Sequence, residues 1–177
     1  MRVKHISWYG GIIRPQAELM IRHLDAEGNL MYRRKRGLLG RLREGIEPDV
    51  QVAHGTVTDA YVAFLVDQHQ AESSAIGDFK YHDSGTGVVA ENAADTGLGT
   101  ATGVARATGT QIEGATANIY KSVATITYDD TYAITEHGLF NTSDGATLMD
   151  RTKFGVVNVV VNEKIEFTYQ LTLPSGG

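Results

Sequence analysis

The fold is decided by one stretch, Lys164-Ile165-Glu166-Phe167-Thr168-Tyr169-Gln170-Leu171-Thr172-Leu173. Its side chains alternate without a break between polar and apolar or aromatic. A period of two is typical of a β-strand with one face in a core and the other in water. The backbone N–H and C=O groups of this strand need partners, so it must pair with earlier parts of the chain. The sequence therefore predicts a β domain that includes residues 164–173.

Earlier strand patterns lead into this stretch and are joined by short turn sequences. One strand face carries Tyr120, Ser122, Ala124, Ile126 and Tyr128. Further strands are predicted at residues 132–140, 148–154 and 156–161, with turns at 129–131, 143–145 and 162–163. Strands with turns this short are typical of an antiparallel meander or of a sandwich sheet. We therefore expect a mainly β protein whose body is an antiparallel, jelly-roll-like β-sandwich.

One segment, residues 56–70, has helical periodicity instead. Thr56 is the predicted N-cap, and Asp59 three residues later resembles a capping box. Apolar side chains recur at the spacing of one helix face, at Val57, Ala60, Tyr61, Phe64 and Leu65. This pattern predicts a single helix that packs its apolar stripe on the sheet, with Asp59 and Asp67 facing outward.

Residues 18–36 are predicted to form a hairpin in front of this body. Leu19, Ile21 and His23 alternate with Met20, Arg22 and Leu24, and residues 25–29 supply turn chemistry. Residues 30–36 would return along the first strand. The alternative is a helix over residues 15–24, because proline is favourable at the first helical position. The turn cluster favours the hairpin.

The middle of the chain is rich in small residues. A short strand is predicted at residues 78–82, and residues 85–90 match the dinucleotide-binding pattern G-x-G-x-x-A. That pattern needs a following helix, which the next residues do not predict, so we interpret the match as accidental. Residues 95–118 are predicted to form loops and an edge strand, or an arm that becomes ordered only on assembly.

Charge divides the chain into two predicted parts. Residues 1–48, an extended N-terminal arm and basic hairpin, carry ten Lys and Arg against five Asp and Glu. Residues 49–177, the β-sandwich body with its one helix, carry six against sixteen. A basic front on an acidic body favours contact with a negatively charged surface. The expected partner-binding residues are Trp8, Tyr9, Arg33, Arg34, Lys35, Arg36, Arg41 and Arg43.

Three kinds of negatively charged partner fit this basic front: nucleic acid, an acidic protein, or the acidic body of a neighbouring copy. Nucleic acid is the weaker interpretation, because no aromatic platform for stacking bases accompanies the basic run. The pair Trp8-Tyr9 is open to two readings, a cover for a core edge or an anchor on a partner.

Signatures of chemistry are missing from the sequence. There is no cysteine, and the six histidines show no metal-ligand spacing. Glu136 and His137, adjacent on a predicted strand, should point to opposite faces, and so should His82 and Asp83. We expect no catalytic residue, no metal and no cofactor, and therefore not an enzyme. The lack of a long apolar run predicts a soluble protein without a membrane anchor.

Several segments together resemble a family of virion structural proteins of tailed bacteriophages. They lie at residues 79–87, 95–98, 133–140, 148–154 and 167–172, and the predicted helix also occurs in its family position. The resemblance rests on the order and spacing of these segments over roughly residues 50–175.

This resemblance implies a β-sandwich-like, homo-oligomeric subunit of a phage particle. It would bind the major capsid protein, or other virion proteins, as a capsid decoration or cement protein, after assembly in the host cytoplasm. A module on the tail or fibre, with carbohydrate as a further ligand, is the alternative. The family has no catalytic residues to transfer to this chain.

Overall fold

The computed structural model describes residues 16–36, 42–69, 79–145 and 147–173. Within these ranges it has eleven strands and one helix. In chain order they are β1 Gln16–Leu24, β2 Tyr32–Arg36, β3 Leu42–Pro48, β4 Val50–Val57, α1 Asp59–His69, β5 Tyr81–Gly85, β6 Ala107–Thr108, β7 Thr110–Glu113, β8 Ile119–Thr127, β9 Tyr132–Phe140, β10 Leu148–Val159 and β11 Lys164–Thr172. The mainly β, antiparallel class is confirmed.

Nine of these strands form one sheet in the order β6-β5-β9-β10-β4-β1-β11-β8-β7. The sheet is nearly closed into a barrel, because its two edge strands, β6 and β7, are consecutive pieces of one extended segment. Gly109 lies between them, where a Cβ would overlap the Ser122 hydroxyl and lie 2.8 Å from His82 Nε2. Closure at this point therefore requires a glycine. The jelly-roll-like sandwich of the prediction is not confirmed by this strand order.

Strand β11, which the opening sequence pattern predicted, lies between β1 and β8 inside the sheet. Its apolar side chains at 165, 167, 169 and 171 are all buried, and the polar ones between them are partly exposed. Leu19 and Ile21 of β1 and Ile126 of β8 join them in the core. The predicted faces of this strand are confirmed.

The predicted helix is confirmed, but it begins later than the sequence pattern indicated. Residues 56 and 57 complete β4, and Thr58 caps the helix by accepting the N–H of Tyr61 at 3.2 Å. Tyr61 and Phe64 pack edge-on against Phe79, with ring centroids 5.0 and 4.9 Å apart. The apolar stripe therefore covers the barrel where β4 ends and β10 begins, while Asp59 and Asp67 are exposed as predicted.

The predicted meander is wrong, although most of its strands and turns are present. Among the strands of the predicted meander, β8 to β11, consecutive pairing occurs only between β9 and β10, around the predicted turn that contains Gly145 at φ +62°. Strands β8 and β9 are not neighbours, and neither are β10 and β11. The two segments predicted at 148–161 are one strand, β10, with a bulge between Lys153 and Val157. Local patterns specify strands and turns, but the partners of a strand depend on the whole barrel.

The predicted hairpin of residues 18–36 is also wrong in its pairing. The turn is present, with Gly28 at φ +92°, and β1 excludes the alternative helix over residues 16–24. However, both edges of β1 are occupied, by β4 and β11. Strand β2 therefore pairs with β3 instead. Because β1 is part of the barrel wall, the predicted division at residue 48 runs through the barrel.

Residues 95–118 are loops and two short edge strands, β6 and β7, which was the first of the two predicted alternatives. The predicted strand at 78–82 is β5, shifted towards Gly85, and its first predicted residue lies outside the described ranges. Residues 86–106 form a long loop between β5 and β6, called the covering loop below.

Candidate functional site

The two-stranded pair of β2 and β3, called the ribbon below, is separate from the barrel sheet. Among the described elements, neither strand makes more than marginal contact with another helix or strand. Tyr32 pairs with Pro48 and Arg34 with Ile46, so these four share one face. Tyr32 is 58% and Ile46 is 66% exposed. The ribbon therefore presents a mixed apolar and basic face to its surroundings.

On the opposite face of the ribbon, a charged residue pairs with other residues of the same chain. Arg33 Nε donates to Glu47 Oε1 at 3.2 Å, and Arg33 Nη1 lies 3.4 Å from Asp49 Oδ1. Both Arg33 and Glu47 are about two-fifths exposed, so this pair contributes little to stability by itself. The pair holds the Arg33 side chain in place. Arg34, which is exposed on the other face, stays a candidate for binding a partner.

The base of the ribbon is held firmly to the barrel. Met31 N–H donates to the His23 carbonyl at 2.9 Å, and Asp49 N–H donates to the Met31 carbonyl at 2.8 Å. The His23 ring is buried between Asp49, 3.0 Å from Nδ1, and Glu163, 3.2 Å from Nε2. Each ring nitrogen therefore has a carboxylate within hydrogen-bond distance. Three parts of the chain therefore meet at the point where the ribbon leaves the barrel.

The predicted partner-binding residues fall into three groups. Arg33 and Arg34 have described side chains, the first tied to Glu47 and the second exposed. The backbone of Lys35, Arg36 and Arg43 lies in the ribbon strands. Trp8, Tyr9 and Arg41 lie outside the described residues. The structure thus gathers five of the eight basic and aromatic candidates on one element.

A second cluster, which the sequence did not predict, lies inside the barrel. His82 Nδ1 is 2.9 Å from His137 Nε2, and His82 Nε2 is 2.8 Å from Ser122 Oγ. Burial lowers the pKa of His82 to about 3 and lowers the pKa of His137 well below its ordinary value. The hydrogen-bonded series His137–His82–Ser122 resembles the arrangement that activates a catalytic serine. All three residues, however, are completely buried. A substrate has no access to it in this structure.

The predicted opposite orientation of Glu136 and His137 is confirmed, and it places Glu136 under the covering loop. Its carboxylate accepts N–H groups from Gly87 at 2.9 Å, Gly99 at 3.1 Å and Thr100 at 2.8 Å. Arg151 Nη2 lies 2.6 Å from it. Burial alone would raise the pKa of Glu136, but the N–H groups and Arg151 lower it. Glu136 is therefore a fully satisfied buried anion.

Arg151 and Arg106 extend this layer to the rest of the covering loop. Arg151 pairs with Asp95 at 2.8 Å and donates to the Val89 carbonyl at 3.0 Å. Arg106 pairs with Asp83 at 3.0 Å and lies over the Phe140 ring. The loop is thus fastened to the barrel wall by buried ion pairs, which we call the charged layer.

The charged layer explains the accidental G-x-G-x-x-A match. The Gly87 N–H that would face a phosphate in a nucleotide-binding loop is already bound to the Glu136 carboxylate. A Cβ on Gly87 would overlap that carboxylate. The glycines are needed here because the loop backbone approaches a side chain of its own protein so closely.

A shallow groove of about 500 Å³ lies beside β7 and is lined by residues that include Ile112, Tyr120 and Leu173. Tyr120 is the only aromatic residue that lines it among those that the structure describes. No group of three or more His, Cys, Asp or Glu within the described ranges is arranged to hold a metal ion. No helix in the described part of the chain is long and apolar enough to span a membrane.

Comparison with known proteins gave no match to any family model, curated protein or solved structure.

Proposed function

We propose that this protein is a non-enzymatic structural subunit of a tailed phage particle that binds the capsid surface as a decoration protein and stabilises the shell. The observation that carries the proposal is the ribbon, a basic and apolar element that projects from a barrel. A decoration protein needs a rigid body that persists at the particle surface and an element that docks on the lattice. The barrel fits the first of these requirements, and the exposed face of the ribbon fits the second.

The sequence resemblance supports the same proposal. Its segments lie in the barrel and in the covering loop: residues 79–87 reach from the aromatic contact with α1 through β5, 133–140 lie in β9, 148–154 in β10 and 167–172 in β11. The resemblance therefore belongs to the body, whereas the ribbon is the docking part of this proposal. The jelly-roll-like sandwich that the resemblance implies also stays a proposal, since a flattened barrel shares its antiparallel strands.

The partner of the ribbon on the particle is an acidic patch of the major capsid protein. Between residues 32 and 48 the chain carries six Lys and Arg against two Glu. Exposed charges of one sign orient and accelerate the encounter with a surface of opposite sign. Tyr32 and Ile46 then supply apolar contact area, which charge pairs at the rim do not.

Immunogold labelling of purified phage particles, with antibodies against the barrel, tests the proposal. Gold distributed over the shell is the expected result. Label confined to the tail or fibres would replace the capsid assignment with the alternative of a tail or fibre module. Particles that contain none of the protein would overturn the proposal altogether.

Binding of the ribbon is measured separately, by co-sedimentation of the purified chain with particles from which it has been stripped. A variant with Arg34→Ser and Ile46→Ser should stay folded and lose most of its binding. The matched control, Val62→Ser with Lys121→Ser, removes one exposed apolar group and one positive charge from other surfaces. It should bind like the wild type, and equal binding by both variants would exclude the ribbon.

A further inference from the structure

The barrel end that carries the ribbon also carries three acidic turns, at residues 25–29, 129–131 and 160–163. Together they contain five acidic residues and no Lys or Arg: Asp25, Glu27, Asp129, Asp130 and Glu163. The turns are neighbours, because Tyr128 N–H donates to the Glu163 carbonyl at 3.0 Å and Lys164 Nζ donates to the Ala26 carbonyl. These three turns are called the acidic end below.

The acidic end has an apolar part as well. Val160 and Val161 are each 51% exposed at the turn between β10 and β11. Asp129 and Asp130 are exposed in the adjoining turn, where Asp129 accepts the hydroxyl of Tyr132 at 3.1 Å. The surface is therefore a pair of valines beside two exposed carboxylates.

This surface is complementary to the exposed face of the ribbon in both charge and polarity. Arg34 would meet the carboxylates of residues 129 and 130, and Tyr32 and Ile46 would meet the two valines. In the single chain, all of these side chains are exposed. The ribbon therefore does not cover the acidic end of its own barrel, and both surfaces are available to a second molecule.

We propose that the ribbon of one copy docks on the acidic end of a second copy of this chain. Because the ribbon and the acidic end lie at the same end of the barrel, two copies that meet end to end can make the contact twice, about a two-fold axis. This inference deepens the proposed function and rests on it in taking the ribbon as the docking element. Because the same face of the ribbon is proposed to bind the capsid, pairing in free solution and binding to a particle exclude each other, and a pair would separate when its copies bind the shell.

The contact also agrees with the internal roles of the other charges. Arg33 is fixed by Glu47 and Asp49, and Glu163 is bound to His23. These groups are therefore already paired within the chain, at the base of the ribbon and along its other face. Arg34, Asp129 and Asp130 are left to recognise the second copy, and their exposure makes the association weaken as salt increases.

Sedimentation velocity of the purified chain, at low and high salt, tests the proposal with two charge reversals. Arg34→Glu changes only the ribbon, and Asp129→Lys with Asp130→Lys changes only the acidic end. Each should weaken pairing by about tenfold or more, because attraction becomes repulsion. The matched control, Asp67→Lys with Asp144→Lys, makes the same change in charge at exposed sites outside the acidic end and should pair like the wild type.

Mixing the two reversed variants in equal amounts gives the sharpest result. In a mixed pair both contacts again join opposite charges, so pairs should form in the mixture although neither variant pairs alone. Circular dichroism of each variant confirms that it is folded. A wild-type chain that stays monomeric at low salt, or a mixture that stays monomeric, would overturn the proposal. Particle binding is measured without reference to pairing, so either proposal can fail alone.

Discussion

The covering loop and the ribbon are both excursions from the same barrel, and they use charge in opposite ways. The covering loop is fastened by Glu136 and Arg151, which are 0% and 2% exposed and satisfy each other. The described contacts of the ribbon with the barrel lie at its base, and Arg34 at its exposed face is open to solvent or a partner. The lesson is that, among the described residues, only the charges that are exposed and not already paired within the chain are left for the docking that we propose.

Removing the carboxylate at the centre of the charged layer should have the largest effect. Glu136→Ala leaves the buried Arg151 guanidinium without its main partner and leaves three loop N–H groups without an acceptor. The free energy of unfolding should fall by about 3–5 kcal/mol. Denaturant unfolding of the two proteins measures the difference.

The matched control lies on the ribbon. Glu47→Ala also removes a carboxylate from an arginine, but both partners are partly exposed, so the loss should be below about 1 kcal/mol. Equal losses for the two variants would show that the charged layer is no more important for stability than the surface pair.

Asp150 is a second buried carboxylate, and it sharpens the comparison because it lacks the full set of hydrogen bonds that Glu136 has. Its Oδ1 accepts the Thr152 hydroxyl at 2.6 Å, but its Oδ2 has no partner among the described residues. Burial raises the pKa of Asp150 to about 7, above the ordinary value of 3.8. The folded protein therefore holds the Asp150 proton more tightly than the unfolded chain does. This tighter protonation stabilises the fold fully below pH 3.8, and the contribution is lost as the pH rises through about 7.

Asp150→Asn removes the charge that burial disfavours. The variant should therefore gain stability relative to the wild type between pH 4 and pH 8, by a few kcal/mol over that range. Denaturant unfolding at both pH values measures the change. A difference between the two proteins that is independent of pH would contradict the raised pKa.

Crowding the glycine that approaches Glu136 should have a smaller effect. Gly87→Ala places a Cβ against the carboxylate, and the strain should cost about 1–3 kcal/mol. Gly97 lies in the same loop with nothing within 4 Å of a Cβ, so Gly97→Ala is the matched control and should be nearly neutral. Thermal unfolding of both variants decides whether close approach, and not glycine as such, matters at position 87.

Neutralising the ribbon should have the smallest effect on folding and the largest on assembly. Replacing Arg33, Arg34, Lys35 and Arg36 with Ser should change the free energy of unfolding by less than about 1 kcal/mol. The reason is that the ion pair between Arg33 and Glu47 is partly exposed and contributes little to stability. Binding to stripped particles should be lost. A variant that unfolds readily but still binds would reverse the roles that we assign to ribbon and barrel.

Sequence patterns predicted the faces of the strands well and their partners poorly. The alternation from Ile165 to Leu171 placed every core side chain of β11 correctly, because burial of one face needs only the local period. The pairing of β2 with β3 depended on β4 and β11 occupying both edges of β1, which no local pattern contains.

The two buried clusters could not be predicted for the same reason. His82, Ser122 and His137 come from three different strands, and Glu136 meets the loop that begins about 50 residues earlier in the chain. The alternation did show that Glu136 and His137 face opposite sides. It could not show that both sides are enclosed, because the covering loop has no periodicity. The basic run, in contrast, was visible in the sequence because its four residues are consecutive.

Hydrogen–deuterium exchange of the chain, free and bound to stripped particles, tests the central distinction most directly. Backbone amides of Gly87, Gly99 and Thr100 should be protected in both states, because each N–H is bound to the buried Glu136 carboxylate. Amides of the ribbon should exchange quickly in the free chain and become protected on the particle. Ribbon amides that exchange equally fast in both states, with new protection confined to the barrel, would contradict the account.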